Sequence, residues 1–214
     1  VLYLGVAEAL GYSANREGFR EVARRLPLAE ALPGAGEGLG GVCSRLSAAS
    51  RGIPWRYNGV RPANHPARRL LALGHLLVRF APGGWVGGME ALVRRAATPG
   101  ELTAGLVVPG LPALLGGDRA GEIAVNVVLP FFFAWGQRQG DARLSARVLS
   151  LYRRYPPLPV NGITRHMAGL LGMEWGVLGC ARRQQGLIHL HHTWCRHGGC
   201  DRCPLGVRSF PAPS

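Results

Sequence analysis

Lysine is absent from this chain. All 25 basic residues are arginine, and only 12 Asp and Glu stand against them. Abundant Ala, Gly, Pro and Arg in place of Lys follow from GC-rich codons. The shortage of carboxylates does not, so the net charge of +13 is a signal in its own right. Such a surplus favours a polyanion partner, nucleic acid first. The arginine fork is planar and bidentate, which suits phosphates and base edges. Long apolar runs are also lacking. The longest, residues 123–135, is interrupted by Asn126 and Pro130 and is too short to span a bilayer. The expectation is a cytoplasmic protein with neither a membrane span nor a signal peptide. G-x-S-x-G, a P-loop, a dinucleotide glycine fingerprint and HExxH are all missing. Carboxylates are too sparse for an obvious acid–base pair, so no catalytic activity is expected within the chain. Convincing period-two alternation is missing as well, which excludes a strand-built core.

What is present is helical spacing. A hydrophobic share of 47% over 214 residues allows a self-sufficient core. Residues 2–10 read as a short apolar helix ended by Gly11. Ser13 or Asn15 caps the next, in which Phe19, Val22, Ala23 and Leu26 recur at helical intervals and Glu21 pairs with Arg25. Residues 32–41 read as a glycine-rich loop and 43–50 as a short helix. Pro66 opens a helix with Leu70, Leu73, Leu77 and Phe80 inward and Arg68, Arg69 and Arg79 outward. Residues 83–88 read as loop and 89–97 as helix. Thr98-Pro99-Gly100-Glu101 is a capping box. Asp118 caps the most apolar helix, 123–135, which Pro130 should kink. Asp141 caps a helix burying Leu144, Val148, Leu151 and Tyr155. Two more helices fall at 163–171 and 178–194, and VRSFPAPS (207–214) reads as a frayed tail. The expected fold is all-α, an irregular multi-helix bundle with a cysteine-rich C-terminal metal-binding loop. Residues 1–177 form the helical core, and 178–214 a helix plus tail packed on it.

Two segments carry chemistry. The first is RGIPWRYNGVRPANHP (51–66), where three prolines forbid a long helix and predict an ordered loop. It gathers Trp55, Arg56, Tyr57, Arg61, Asn64 and His65. Arg68 and Arg69 follow directly. Trp55 and Tyr57 are available for base stacking and the arginines for phosphates, whereas Asn64 and His65 also suit the cap of the Pro66 helix. The second is TWCRHGGCDRCPLG (193–206), with Cys195, Cys200 and Cys203 in a C-x4-C-x2-C spacing. A C-x2-C turn sets two thiolates at about the separation a tetrahedral metal needs, and Gly198 and Gly199 permit the turn. Zinc is the expected ion, with His192 as fourth ligand. Cys180, His189, His191 and His197 stay open, and an iron–sulfur cluster is compatible with the cysteines and Pro204. Free structural thiols and a disulfide are the competing readings. Arg182 and Arg183 form a second basic group near this loop. Cys43 and Cys180 are expected as small buried core residues.

Five pieces in order along the chain resemble an uncharacterised bacterial family, domain-of-unknown-function family twenty-eight fifty-one. They are EALGYSANREGFREVARRLP (8–27), VRPANHPARRL (60–70), NVVLPFFFAWG (126–136), LYRRYPPLPVNGITRHM (151–167) and QQGLIHLHHTWCRHGGCDRCPLG (184–206). Family members are about twice as long, and this chain resembles their helical C-terminal half. The resemblance implies an N-terminal half of restriction-endonuclease type missing here, with this chain the DNA-engaging or scaffolding half of a nuclease-like protein. It supports Cys195, Cys200 and Cys203 as a set, and Arg61, Pro62, Asn64 and Pro66 as a motif. The cysteine spacing departs from the iron–sulfur loop of helix-hairpin-helix DNA glycosylases, which has a wider first interval and a fourth downstream cysteine. No glycosylase chemistry carries over. Two functions are therefore expected: a nucleic-acid-binding helical module using Trp55, Arg56, Arg61, Asn64, Arg68, Arg69, Arg182 and Arg183, or a metal-stapled interaction domain.

Overall fold

The computed structural model describes residues 1–59, 61–203 and 205. The expected tail 207–214 and Pro204 lie outside the described residues. The fold is all-α. Among the described residues the extended structure is limited to an isolated antiparallel bridge between Val108 and Leu115. No single helix there is long and apolar enough to cross a membrane. The chain divides into two compact units, Val1–Tyr152 and Arg153–Ser214.

The first unit is built from α1 (Leu2–Leu10), α2 (Tyr12–Arg25), the single turn α3 (Leu28–Ala31), α4 (Leu39–Ala49), α5 (Pro66–Phe80), α6 (Gly84–Arg95), α7 (Pro99–Leu106), α8 (Gly117–Ile123), α9 (Leu129–Gln139) and α10 (Ala142–Arg153). Helix α1 sits against α2, α5 and α8. Its Leu2, Tyr3, Val6 and Leu10 are buried with Phe19, Val22, Leu73, Leu76 and Leu77. The Tyr3 and Phe80 rings both meet Trp85 edge-on, at 6.0 and 6.1 Å. Burial pushes the Tyr3 hydroxyl up to about 12, and it donates to the Leu26 carbonyl.

Several helix ends differ from those the sequence predicts. Neither Ser13 nor Asn15 caps α2: the helix starts at Tyr12, kinks at Asn15, and spends the Asn15 side chain elsewhere. The glycine-rich segment is partly helical, because α4 begins at Leu39 and takes in Gly40 and Gly41. Helix α6 begins at Gly84 rather than Met89, since Trp85 and Met89 lie one turn apart and are both buried. Gly116, not Asp118, precedes α8, and Asp118 sits in its first turn, where a carboxylate favours the helix dipole. Residues 124–128 form a π-helical turn just before Pro130. Proline offers no N–H to the carbonyl four residues back, which is that of Asn126, so the ladder loosens there. Asn126 itself is exposed. The expected caps at Thr98 and Asp141 are both present.

Helices α4 and α5 approach closely at Gly74, where a Cβ would stand 2.8 Å from Cys43 Sγ. Cys43 therefore fills a helix crossing, half-buried, and burial pushes its thiol up.

The second unit holds α11 (Gly162–Leu170) and α12 (Ala181–Thr193), followed by 3-10 turns at Cys195–His197 and Gly199–Asp201. Asn161 and Thr164 form a reciprocal capping box that starts α11. Met167, Ala168, Leu178 and Leu187 make a separate small core. Gln184 is buried and bonds both backbone groups of Leu158, fixing the proline-rich segment to α12. Because α11 shares a core with α12, the compact unit begins at Arg153 rather than at the sequence-based division after residue 177.

Candidate nucleic-acid interface

The loop 51–65 is held from beneath by α2. Asn15 accepts from the Arg56 N–H at 2.8 Å and donates to the Arg56 carbonyl at 2.9 Å. One side chain thus replaces a strand partner for Arg56, which is why Asn15 is buried rather than capping. Arg25 donates to the Arg51 carbonyl at 2.8 Å. Trp55 lies edge-on to Phe19 at 5.2 Å and covers Gly18, where a Cβ would come within 2.6 Å of its ring. Trp55 is therefore an anchor and not a free stacking platform.

Beyond that anchor the loop faces solvent. Arg56, Tyr57, Arg61 and His65 are exposed. The Tyr57 and His65 rings stack at 5.2 Å with planes 29° apart. His65 Nδ1 accepts from the Ala67 N–H, so His65 caps α5, and Pro66 occupies the first helical position. Neither Arg56 nor Arg61 has a carboxylate partner among the described residues. The charges of α2, by contrast, are largely self-neutralised. Arg16 and Arg20 bind Glu8, and Arg25 binds Glu21. An open groove beside the loop is lined by Asn15, Glu17, Gly18, Glu21, Arg25 and Arg56. Its mixed signs do not suit a polyanion, and the loop's exposed guanidiniums at Arg56, which also lines the groove, and Arg61 have no carboxylate partners among the described residues.

Arg69 does not belong to that surface. It is 3% exposed and faces inward, contrary to the sequence expectation. Its guanidinium donates to the Leu114 carbonyl at 2.6 Å, to Asn64 Oδ1 at 2.6 Å and to Tyr12 Oη at 3.0 Å. Asn64, another expected contact residue, is consumed by the same knot. Burial depresses the Arg69 pKa, with Arg68 adding to the depression and Tyr12 opposing it. Arg119 lies over the Tyr12 ring, 3.1 Å from its centroid, and pairs with Glu122. Burial pushes the Glu122 carboxyl up, and Arg119 opposes that rise. Tyr12 sits at φ +53°, the one non-glycine residue in the left-handed region among the described residues. Arg68 is half-buried, and its Nη2 donates to the Pro112 carbonyl. Tyr12 carried no sequence signal, because its partners Arg69 and Arg119 lie far along the chain, and Asn15 was legible only as a cap. Arg119 and Glu122, three residues apart, were missed although an i,i+3 pair is a local signal.

In the second unit Arg182 and Arg183 are both exposed. Arg183 reaches back to the Val177 carbonyl at 2.7 Å, which leaves Arg182 the freer of the two. Carboxylates are scarce here. The neighbours Asp201 and Arg202 stand 3.7 Å apart, both largely exposed, a contact of little worth.

The cysteine loop does not present the expected ligand set. Among the described residues no group of three or more His, Cys, Asp or Glu side chains is placed to hold a metal ion. Cys195 packs against the small α11–α12 core, Cys200 is exposed and Cys203 is buried, so the three sit in different environments. They are still close enough to interact: burial raises the Cys195 thiol, and Cys200 and Cys203 raise it further. His192 is exposed on α12, with its ring 5.3 Å from that of His191. Cys43 and Cys180 are half-buried rather than fully in a core.

No protein-family model, curated protein or solved structure matches this chain.

Proposed function

We propose that this chain is a helical nucleic-acid-binding module, the DNA-engaging half of a larger nuclease-like protein. One observation carries the reading. Arg56 and Arg61 are exposed without carboxylate partners on the loop that also exposes the stacked Tyr57 and His65 rings, and that loop is held in place by Asn15 and Arg25. Guanidiniums bind phosphates, and the Tyr57 ring, 54% exposed, offers a face to an unpaired base. Arg182, exposed in the second unit, is a separate candidate phosphate ligand. Arg69 and Asn64 shape the loop from within and touch no ligand.

The test is fluorescence anisotropy with a labelled 20-base oligonucleotide at low salt. Replacing Arg56 and Arg61 together by Ala weakens binding about tenfold or more, because two phosphate contacts are lost. Replacing Arg95 and Arg138, exposed arginines on α6 and α9, changes it by less than about threefold. Equal losses from the two double variants would refute the assignment of the surface.

A second reading has an observation of its own. Cys195 and Cys200 lie on successive 3-10 turns and the Cys203 N–H bonds the Cys200 carbonyl at 3.4 Å, so a shift of these side chains would bring three thiolates onto zinc and staple the second unit for a protein partner. Zinc near one per chain, with the second unit unfolding on chelation and no oligonucleotide binding, selects that reading.

A further inference from the structure

The segment between α7 and α8 ends in a leucine with no packing at all. Leu111 is 100% exposed, and its neighbours Pro109, Gly110 and Pro112 are exposed with it. Exposed leucines are ordinary on a surface, but they seldom stand at the tip of a fastened loop. This one is fastened at three levels. Arg79 donates to the Gly105 and Val107 carbonyls at 2.8 and 2.9 Å and fixes the base. The Val108–Leu115 bridge closes the stem, with N–H···O distances of 3.0 and 3.1 Å in the two directions. Near the tip, Arg68 donates to the Pro112 carbonyl, and Arg69 to the Leu114 carbonyl. Three guanidiniums thus hold a loop whose most prominent side chain is apolar.

The same knot joins this tip to the basic loop. Arg69 bonds Asn64, and the Asn64 N–H donates to the Arg61 carbonyl at 2.7 Å. Arg68, which holds the residue after Leu111, is the third residue of α5, two places after Pro66 and three after His65. Through these bonds the loop that carries Leu111 and the loop that carries Arg61 are tied together.

We infer that Leu111 is a wedge that enters an opened base step of duplex nucleic acid held by Arg56 and Arg61. This rests on the nucleic-acid reading and names the form of nucleic acid that the site takes. Side chains that separate stacked bases are apolar, project fully, and sit on backbone stiff enough to hold the duplex bent. Leu111 has each of these properties. A protein partner would also accept an exposed leucine, but the loop tied to it exposes the Arg56 and Arg61 guanidiniums without carboxylate partners, which favours a polyanion. Opening a step is easiest where stacking is already interrupted, so the wedge prefers a duplex with a bulge over a perfect one.

The experiment compares a perfect 20-base-pair duplex, the same duplex with a central two-nucleotide bulge, and the single strand. A 2-aminopurine sits beside the bulge. The wild-type chain binds the bulged duplex about tenfold more tightly than the perfect one, and the 2-aminopurine brightens as it unstacks. Leu111→Ser loses both the preference and the brightening and keeps single-strand affinity. Its melting temperature is unchanged, because the side chain makes no contacts in the fold. Binding with the same preference in Leu111→Ser overturns the wedge and leaves the nucleic-acid reading standing. Failure of the wild-type chain to bind any of the three overturns both. A wild-type oligomer in sedimentation that Leu111→Ser dissociates assigns the leucine to a second copy and overturns the wedge.

Discussion

Replacing Arg69 by Met should destabilise the first unit by about 3 kcal/mol, and the reasoning is local. Its guanidinium makes three hydrogen bonds, two of them at 2.6 Å, to the Leu114 carbonyl, Asn64 and Tyr12. Hydrogen bonds to a charged group contribute roughly 1.5–3 kcal/mol each. Against that stands the cost of burying the charge, which the depressed pKa of Arg69 registers. Met keeps the apolar stem but leaves the Leu114 carbonyl and the Asn64 oxygen without this donor. Breaking such a buried set by removing one member costs about 3–5 kcal/mol, and the Met stem returns part of it. For a urea slope of about 2–3 kcal/mol/M, the midpoint falls by about 1 M. Tryptophan emission is a suitable reporter, because Trp85 lies in the same unit's core. Arg69→Lys keeps the charge without the fork and recovers less than half the loss. A loss below about 1 kcal/mol for Arg69→Met would refute the knot as the element that joins the two loops.

Other consequences follow from the same contacts. Asn15→Ala removes both bonds to the Arg56 backbone and costs about 1–3 kcal/mol, and amide exchange at Arg56 quickens relative to the α5 core. Gly88→Ala places a Cβ 2.6 Å from the Phe80 carbonyl oxygen, which is backbone and cannot swing aside; a loss of about 1–3 kcal/mol in thermal or urea melts is expected. Hydrogen bonds and charge from Arg20 and Arg16 hold the Glu8 carboxyl below its ordinary value. Its folded pKa is lower than its unfolded one, so its stabilisation is complete above about pH 4.3 and is lost as pH falls through the depressed value. Glu8→Gln should lower stability at neutral pH and flatten the acid limb of the stability curve. A variant limb parallel to the wild type would contradict the pairing.

Much of the helical frame was legible because it follows from local rules. Phe19, Val22, Ala23 and Leu26 keep helical spacing and are all buried, and the Thr98 and Asp141 caps form as their sequence contexts require. Helix starts failed where tertiary burial outweighed glycine, as at Gly84 ahead of Trp85 and Met89. The site was half legible. Arg56 and Arg61 are exposed as a proline-broken loop implies, but Arg69, read as outward for its charge, lies four residues before Leu73 and seven before Leu76, on the buried face of α5. Its partners Tyr12 and Leu114 are 57 and 45 residues away in sequence, beyond the reach of any local pattern. Leu111 carried a usable signal, an apolar residue between Pro109-Gly110 and Pro112, which turn chemistry alone marks as a surface tip. The cysteine spacing reads as a metal loop, but among the described residues the three side chains sit in different environments and no metal-holding group forms, because burial of Cys195 and Cys203 depends on packing that the spacing does not encode.

The central claim, that Arg56 and Arg61 engage phosphates, is tested most directly by the salt dependence of duplex affinity. Log affinity against log salt should be a steep falling line for the wild-type chain. Its slope should be shallower by about 1.8 in the Arg56→Ala/Arg61→Ala variant, since each phosphate contact contributes about 0.9. Parallel lines for the two proteins, or a wild-type affinity indifferent to salt, would contradict the account.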